Sequence, residues 1–315
     1  MKKITSLLVA MLLIFSIGLS AEAETVKVAA LNGPTGMGMV ALMKAEEGKN
    51  NYSFTLAGSA DVIAPSFIKG EFDIVCVPAN LASVLYNRTN GNVQVLAINT
   101  LGVLYIVERD DTVHTVADLR GRTIYSAGKG ATPEYALKYL LTMNGIDPEK
   151  DVSIVWQSEH SECLSAIIND PDAVAMLPQP FVTVAQTKKE DVRIALDLTK
   201  EWEALETDSG MLTGVVIARK AFVESNPEAV AAFMEAYADS VKFVNENNEE
   251  AAELIGEYGI VAAQVASRAL PYCNIVFISG EEMQTLLGGY LNVLFDQDAA
   301  SIGGALPNED FYYLP

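Results

Sequence analysis

Apolar and polar positions follow two periodic patterns along the first two thirds of this 315-residue chain. Short apolar runs rich in β-branched residues predict strands, and the longer stretches between them have the periodicity of helices. The predicted strands are 26–31, 52–57, 73–77, 93–98, 102–109, 122–126, 152–157, 173–177, 192–197 and 212–218. The predicted helices between them are 36–48, 61–69, 81–87, 134–144, 163–169 and 181–188. This alternation indicates an α/β fold with mainly parallel sheets flanked by helices.

Beyond residue 218 the pattern becomes helical, and Pro227 suits the first turn of a helix. The helices predicted here are 226–247, 249–257, 261–269 and 280–294. The tail, 299–315, combines Gly, Pro and aromatic residues, so we expect a loop packed on the surface.

Two sheets followed by helices indicate two lobes. We expect a discontinuous lobe 1 of residues 24–117 plus 211–315, with residues 118–210 inserted as lobe 2. The chain would pass between the lobes through the strands at 102–109 and 212–218, which would form a two-stranded hinge. Two consecutive domains are the alternative, but the C-terminal helices would then have no sheet to cover.

The first 23 residues have the order of a secretory signal peptide. Lys2 and Lys3 precede an apolar run at 7–19, and Ala21-Glu22-Ala23 offers a small-x-small cleavage site. An uncleaved anchor is the alternative, although the run is short for a membrane span. Cysteine is absent near the cleavage point, so we expect no lipid anchor. The sequence predicts a mature start at Glu22 or Glu24 and a periplasmic or secreted protein.

Charge and composition exclude several classes of function. The 21 basic and 41 acidic residues give a formal net charge of −20, which repels nucleic acid. Cys76, Cys163 and Cys273 are too few for a disulfide framework, and Cys76 lies in an apolar run typical of a buried thiol. His114 and His160 lack Cys or His neighbours at ligand spacing, so we predict no metal site and no cofactor.

Turns of small and polar residues follow five predicted strands, at 32–36, 58–61, 78–80, 128–133 and 177–180. Ligands of open α/β sheets bind at the carboxyl ends of the strands, where helix N-termini present free N–H groups. Each turn alone is also explained by ordinary helix capping. The candidate ligand-binding residues are Asn32, Thr35, Gly36, Ser59, Ala79, Asn80, Gly130, Ala131, Thr132, Glu162, Gln179 and Phe181.

The chain contains no recognisable catalytic set. A Gly-x-Ser-x-Gly elbow is absent, and the adjacency of Glu159, His160 and Ser161 in sequence does not make a triad, since a flexible loop explains all three. Paired acidic residues elsewhere suit solvated helix faces. We therefore predict no catalytic residues, and a binding protein in preference to an enzyme.

Several segments, in this order, resemble a known family. They are 31–36, 70–75, 116–122, 128–134, 175–181 and 222–233. The chain resembles the periplasmic-binding-protein type II group, specifically the nitrate/sulfonate/taurine and thiamine-precursor branch of ABC substrate-binding proteins (SsuA/THI5-like, NMT1-like). One position departs from the pattern: Gln179 stands where the Leu-Pro-Glu-Pro segment of the family commonly has Glu.

The resemblance implies a monomer whose two lobes close on one small solute and deliver it to an ABC permease and ATPase complex at the inner membrane. Backbone N–H groups at Thr35, Gly130 and Thr132 would suit an oxyanion such as a sulfonate. Glu159 and Glu162 would instead suit an amine-bearing ligand such as a thiamine-precursor-like pyrimidine, unless they only cap a helix. An enzyme (lyase or biosynthetic) on the same scaffold, or a sensor for a membrane receptor, remains the alternative.

Overall fold

The computed structural model describes residues 25–315, so the predicted signal peptide lies outside the described residues. Eleven strands in this range form two sheets. The first sheet contains β1 (Val26–Leu31), β2 (Tyr52–Ala57), β3 (Ile74–Pro78), β4 (Val93–Leu101), β10 (Leu212–Arg219) and β11 (Ile275–Ile278), in the order β11-β4-β10-β3-β1-β2. The second contains β5 (Leu104–Glu108), β6 (Thr123–Ala127), β7 (Ser153–Gln157), β8 (Val174–Pro178) and β9 (Arg193–Asp197), in the order β7-β6-β8-β5-β9.

Helices cover both sheets. Those of the first half are α1 (Pro34–Met37), α2 (Val40–Ala45), α3 (Ala60–Ile68), α4 (Ala79–Arg88), α5 (Thr132–Met143), α6 (His160–Asn169) and α7 (Phe181–Lys188). Those that follow are α8 (Leu198–Glu203), α9 (Lys220–Ser225), α10 (Pro227–Glu246), α11 (Asn248–Glu257), α12 (Ala263–Ala269) and α13 (Gly280–Gln297). Between residues 25 and 315 the structure contains no helix with the length and apolar character needed to cross a membrane.

The predicted α/β class with two helix-flanked sheets is confirmed, and four of the six strands of the first sheet and four of the five strands of the second run in one direction, although five of the nine strand pairings are antiparallel. In the first sheet β1 pairs in parallel with β2 and β3, whereas β10 runs antiparallel between β3 and β4. In the second sheet β6 pairs in parallel with β7 and β8, whereas β5 runs antiparallel between β8 and β9. The strand that arrives from the other sheet is therefore antiparallel in each case.

A crossing of only two residues, Gly102 and Val103, joins the end of β4 to the start of β5. Leu104, the first residue of β5, pairs with Pro178 at the end of β8. Because β4 and β8 both end beside this link, the carboxyl edges of the two sheets face each other. A Cβ on Gly102 would lie 2.3 Å from Thr199 Oγ1, so glycine is required at this crossing.

Strand pairing changes the expected hinge. The sequence-based division assigns residues 104–117 to lobe 1 and treats 102–109 and 212–218 as hinge strands. In the structure β5 pairs only with strands of the second sheet, and β10 is central in the first. The connections between the sheets are therefore 102–103 and 198–211. Which sheet a strand belongs to depends on its pairing with distant strands, and the local sequence pattern does not encode that pairing. The two-lobe division remains a proposal with its first boundary before Leu104.

One apolar cluster extends through both sheets and includes Ile106 of the second sheet and Val95 of the first. Three aromatic side chains connect the helices of the two sheets. The ring centroid of Trp202 lies 4.4 Å from that of Tyr139 on α5 and 5.9 Å from that of Tyr290 on α13. Trp202 is fully buried, and its Nε1 donates a hydrogen bond to Ser209 Oγ at 2.9 Å. The return connection is thus packed into the core and is not a free linker.

The C-terminal tail is the main error in the predicted elements. It is not a surface loop, because Ile302 and Phe311 are fully buried and Phe311 packs edge-on against Tyr86, with ring centroids 5.1 Å apart. Ser83 Oγ on α4 donates to the Ile302 carbonyl at 2.8 Å. The strand β11 and the helix α8 are also absent from the prediction. Isolated apolar residues in an irregular segment have no periodicity that would indicate burial.

Replacement of Phe311 by Ala should lower the free energy of unfolding by about 3–5 kcal/mol, the usual cost of removing a buried aromatic ring. Leu314→Ala is the matched control, because Leu314 is 48% exposed and should change stability by less than about 0.5 kcal/mol. Urea denaturation of both variants measures the difference. Equal stabilities would contradict the placement of the tail in the core.

Candidate ligand-binding cleft

The candidate residues of lobe 1 lie on the carboxyl edge of the first sheet. Asn32 directly follows β1, Ser59 lies two residues after β2, and both are exposed. Ala79 and Asn80 begin α4 directly after β3. Because β3, β1 and β2 are neighbours in the sheet, these turns line one continuous edge that faces the second sheet.

A buried polar network holds the turn after β1 in place. Asn99 Nδ2 at the end of β4 donates to the Thr35 carbonyl and to Tyr237 Oη, both at 3.2 Å, and Thr100 Oγ1 donates to Asn99 Oδ1 at 3.2 Å. A Cβ on Gly214 of β10 would lie 2.4 Å from Thr35 Cγ2, so only glycine permits this approach. The Thr35 side chain is buried in this arrangement.

Asn99, Thr100 and Gly214 are absent from the sequence-based candidates. A signal for Asn99 and Thr100 is nevertheless visible, because the predicted strand at 93–98, which is apolar except for Gln94, continues directly into these two polar residues. Both are completely buried, and buried polar side chains at a strand end are normally hydrogen-bonded for a structural or functional reason.

Three of the lobe 1 candidates have structural roles that account for their identity. A Cβ on Gly36 would lie 2.4 Å from the Leu31 carbonyl oxygen, so the turn itself requires glycine. Ala79 is fully buried. Asn80 Nδ2 donates to the Ser301 carbonyl at 3.1 Å and so ties α4 to the tail. These contacts leave Asn32, Thr35 and Ser59 as the stronger lobe 1 candidates.

The glycine-rich turn of lobe 2 differs from the expected open anion site. Gly128 and Gly130 both have positive φ, at 87° and 77°. The Gly130 N–H that was expected to meet an oxyanion instead donates to Glu134 Oε2 at 2.6 Å. Burial alone would raise the pKa of Glu134, but the hydrogen bonds from Lys138 and Gly130 outweigh it and lower the pKa. The Gly130 N–H therefore already donates its hydrogen bond to an ionised carboxylate of the protein itself.

The adjoining candidates Ala131 and Thr132 form the start of α5. Ala131 is the N-cap residue, and Thr132 Oγ1 accepts a hydrogen bond from Tyr290 Oη of α13 at 3.3 Å. Thr132 therefore lies where lobe 2 meets lobe 1, which is compatible with a place at the cleft.

Glu162 acts as a helix cap in the structure. Its Oε2 accepts from the backbone N–H groups of Ser158 at 2.8 Å and Glu159 at 3.3 Å, and Glu159 completes the capping box of α6. The expected contact of Glu162 with a ligand has to compete with this local role, which was the alternative left open by the sequence. The N-terminus of α6, like the Gly130 turn, already carries a carboxylate.

Gln179, at the end of β8, is 2% exposed and has an incomplete hydrogen-bond set. Its backbone N–H donates to the Val103 carbonyl at 3.0 Å, and its Oε1 accepts from Thr183 N at 3.3 Å and Thr183 Oγ1 at 2.9 Å. Among residues 25–315 its buried Nε2 has no partner. A buried donor without a partner is rare in folded proteins, so this amide is a candidate contact for a bound group.

His160 lies in the same part of lobe 2. It is the first residue of α6, and its ring centroid lies 5.5 Å from that of Phe181, the first residue of α7. Burial lowers the pKa of His160, so the ring is neutral at pH 7. Its buried Nδ1 also lacks a partner in the described part of the chain. The sequence suggested a flexible loop here, and nothing in the local pattern indicates burial.

The comparisons with known proteins agree with this geometry. The family model described as NMT1/THI5 like matches residues 92–251, about half of the chain. The chain belongs to the NMT1/THI5-like family. The match runs from the start of β4 into α11, so it includes the crossing, the whole second sheet and the turns of Gly130 and Gln179. It confirms the resemblance read from the sequence motifs. No curated protein matches the chain.

Solved structures share the fold of this NMT1/THI5-like protein. An ABC transporter protein from Parabacteroides distasonis is 23% identical, with a TM-score of 0.78 over 93% of this chain and 99% of its own. The periplasmic aliphatic sulphonate binding protein SsuA from Escherichia coli is 13% identical, with a TM-score of 0.74 and 93% coverage of each chain. The nitrate-binding protein NrtA from Synechocystis is 14% identical, with a TM-score of 0.57, covering 92% and 84%. The fold is the periplasmic-binding-protein type II fold.

In this NMT1/THI5-like chain, direct hydrogen bonds link α5 of lobe 2 to α13 of lobe 1. Tyr135 Oη donates to Asp298 Oδ2 at 2.9 Å, and Gln297 Nε2 donates to the Tyr135 carbonyl at 3.2 Å. Burial and the hydrogen bond to Asp298 raise the pKa of Tyr135 to about 12. A groove of about 460 Å³ lies beside this contact, lined by Lys129, Gly130, Glu134, Tyr135, Lys138, Gln297 and Asp298. The contact fixes the start of α5 relative to lobe 1.

Tyr135→Phe should lower the free energy of unfolding by about 1.5 kcal/mol, the low end for a hydrogen bond to a charged group. Tyr139→Phe removes the same hydroxyl from the same helix, where it makes no hydrogen bond to any residue in 25–315, and should have little effect. Thermal and urea unfolding of the two variants give the comparison. Equal losses would mean that the contact with Asp298 contributes nothing specific.

Proposed function

We propose that this protein is an exported solute-binding protein of an ABC importer, and that it catalyses no reaction. The observation that carries the proposal is the crossing at Gly102–Val103, which sets the carboxyl edges of the two sheets opposite each other. Ligands of open α/β sheets bind at such edges. The fold shared with proteins described as sulphonate- and nitrate-binding supports the proposal. The solute would then be delivered to a permease and ATPase complex.

The proposed binding residues divide by their contacts. Asn32, Thr35, Ser59, Gln179 and Phe181 would meet the solute from the two edges. The others shape or support the turns, namely Gly36, Ala79, Asn80, Gly130, Ala131, Thr132 and Glu162. Asn99 belongs with the supporting group, because it holds the Thr35 turn and is itself completely buried.

A melting-temperature screen of small solutes tests the proposal. A solute at one hundred times its dissociation constant should add about 2.7 kcal/mol of apparent stability. Asn32→Trp, which places a bulky ring on the exposed carboxyl edge, should abolish this shift. Asn51→Trp is the matched control, because Asn51 is equally exposed but precedes β2 at the opposite edge. Turnover of a solute, or a shift that survives Asn32→Trp, would contradict the proposal.

We propose an envelope location on the basis of the sequence of residues 1–23. Intact-mass measurement of protein from the periplasmic or secreted fraction should give a chain that begins at Glu22 or Glu24. A mass that retains Met1 would contradict cleavage.

A further inference from the structure

Two of the three helix starts on the lobe 2 side of the cleft, those of α5 and α6, already have a carboxylate of the protein beside them. Glu134 accepts from the Gly130 N–H, and Glu162 accepts from the N–H groups of Ser158 and Glu159. Of the N–H groups expected to bind an oxyanion, that of Gly130 is therefore taken by a carboxylate of the protein. An anionic solute at either turn would meet a like charge, and the repulsion is stronger at the buried Glu134 than at the exposed Glu162.

Few basic side chains compensate for these carboxylates. The five strand-end turns named above contain a single basic residue, Lys129, together with the acidic Asp61. Lys138, the next cation along α5, forms ion pairs with Glu134 and Glu149, both at 2.9 Å. The electrostatic arrangement of the cleft therefore disfavours a free oxyanion.

Gln179 supplies a hydrogen-bond donor of fixed orientation. The backbone N–H of Thr183 can only donate, so the side-chain atom that receives it must be the carbonyl Oε1. The amide Nε2 then points away from the first turn of α7. The backbone N–H of Gln179 is bonded to the carbonyl of Val103, so this residue lies beside the crossing between the two sheets.

His160 and Phe181 supply complementary groups beside this donor. The neutral imidazole carries one hydrogen-bond donor and one acceptor, and its buried Nδ1 is unpartnered in the structure of residues 25–315. Phe181 lies two residues beyond Gln179 and contacts the His160 ring, with centroids 5.5 Å apart. His160 and Phe181 thus form one contact, and Gln179 lies two residues before Phe181 at the same carboxyl edge of lobe 2.

We propose that the solute is an uncharged planar molecule with a carbonyl oxygen beside an N–H group, as in an amide or a lactam. Its carbonyl accepts from Gln179 Nε2, its N–H donates to His160 Nδ1, and its planar part packs against Phe181. This inference rests on the proposed solute-binding function and names the chemical class of the ligand.

Size-matched probes test the class. Uncharged amides (nicotinamide, benzamide, uracil), anions (nicotinate, benzenesulfonate, nitrate) and the cation benzamidine are titrated into the full mature protein by ligand-observed NMR and melting shift. At least one uncharged amide should bind, with an affinity at least tenfold higher than that of its anionic counterpart. Binding confined to the anions would overturn the ligand class and leave the binding function intact. Absence of binding by every probe, together with no shift in the wider solute screen, would overturn both.

Gln179→Glu tests the role of the donor. One carboxylate oxygen can still accept from Thr183, so folding should be retained, while the second replaces the Nε2 donor by an acceptor. Amide affinity should fall at least tenfold, and benzamidine should bind more tightly than to the wild type. Gln186→Glu is the matched control, since it adds the same charge to α7 one turn or more from the cleft and should change neither affinity. Unchanged amide binding in Gln179→Glu would overturn the assignment of the donor.

Discussion

The rest of the structure depends on the two-residue crossing between β4 and β5. Because only Gly102 and Val103 separate the two strands, the chain passes directly from the carboxyl edge of one sheet to the carboxyl edge of the other. The Gly102 carbonyl accepts hydrogen bonds from Thr199 Oγ1 at 2.9 Å and Asn274 Nδ2 at 2.6 Å, so the return connection and the C-terminal region both hold it. Every proposed ligand contact follows from that opposition of edges.

The C-terminal segment connects the two edges a second time. Asp298 accepts from Tyr135 of lobe 2 through one carboxylate oxygen and from the Ala300 N–H through the other. The residues that follow are bonded to α4 of lobe 1 through Asn80 and Ser83. These hydrogen bonds therefore couple the position of α5 to that of the start of α4. The tail thus contacts both lobes at one side of the cleft, and this position explains why an irregular segment contributes core residues.

The sequence predicts the fold class because its signal is local. Buried parallel strands such as Ile74–Pro78 are continuous apolar runs, and each is followed by a helix of clear periodicity. The membership of β5 in the second sheet depends on pairing with β8 and β9, which local pattern does not contain. The site is predicted in part for the same reason. The turns are visible in sequence, but the reach of Glu134 back to Gly130 and the unpartnered amide of Gln179 exist only in the folded chain.

We propose that the two facing edges move closer together when a solute binds between them. Spin labels at Asp61→Cys and Ser161→Cys, exposed positions on α3 and α6, report the distance between the edges by electron–electron double resonance. The three native cysteines are buried and should not compete for label. A saturating solute from the melting screen should shorten this distance, while a pair within lobe 1, Asp61 and Glu224, stays constant. An unchanged distance between the edges at saturation would contradict the account.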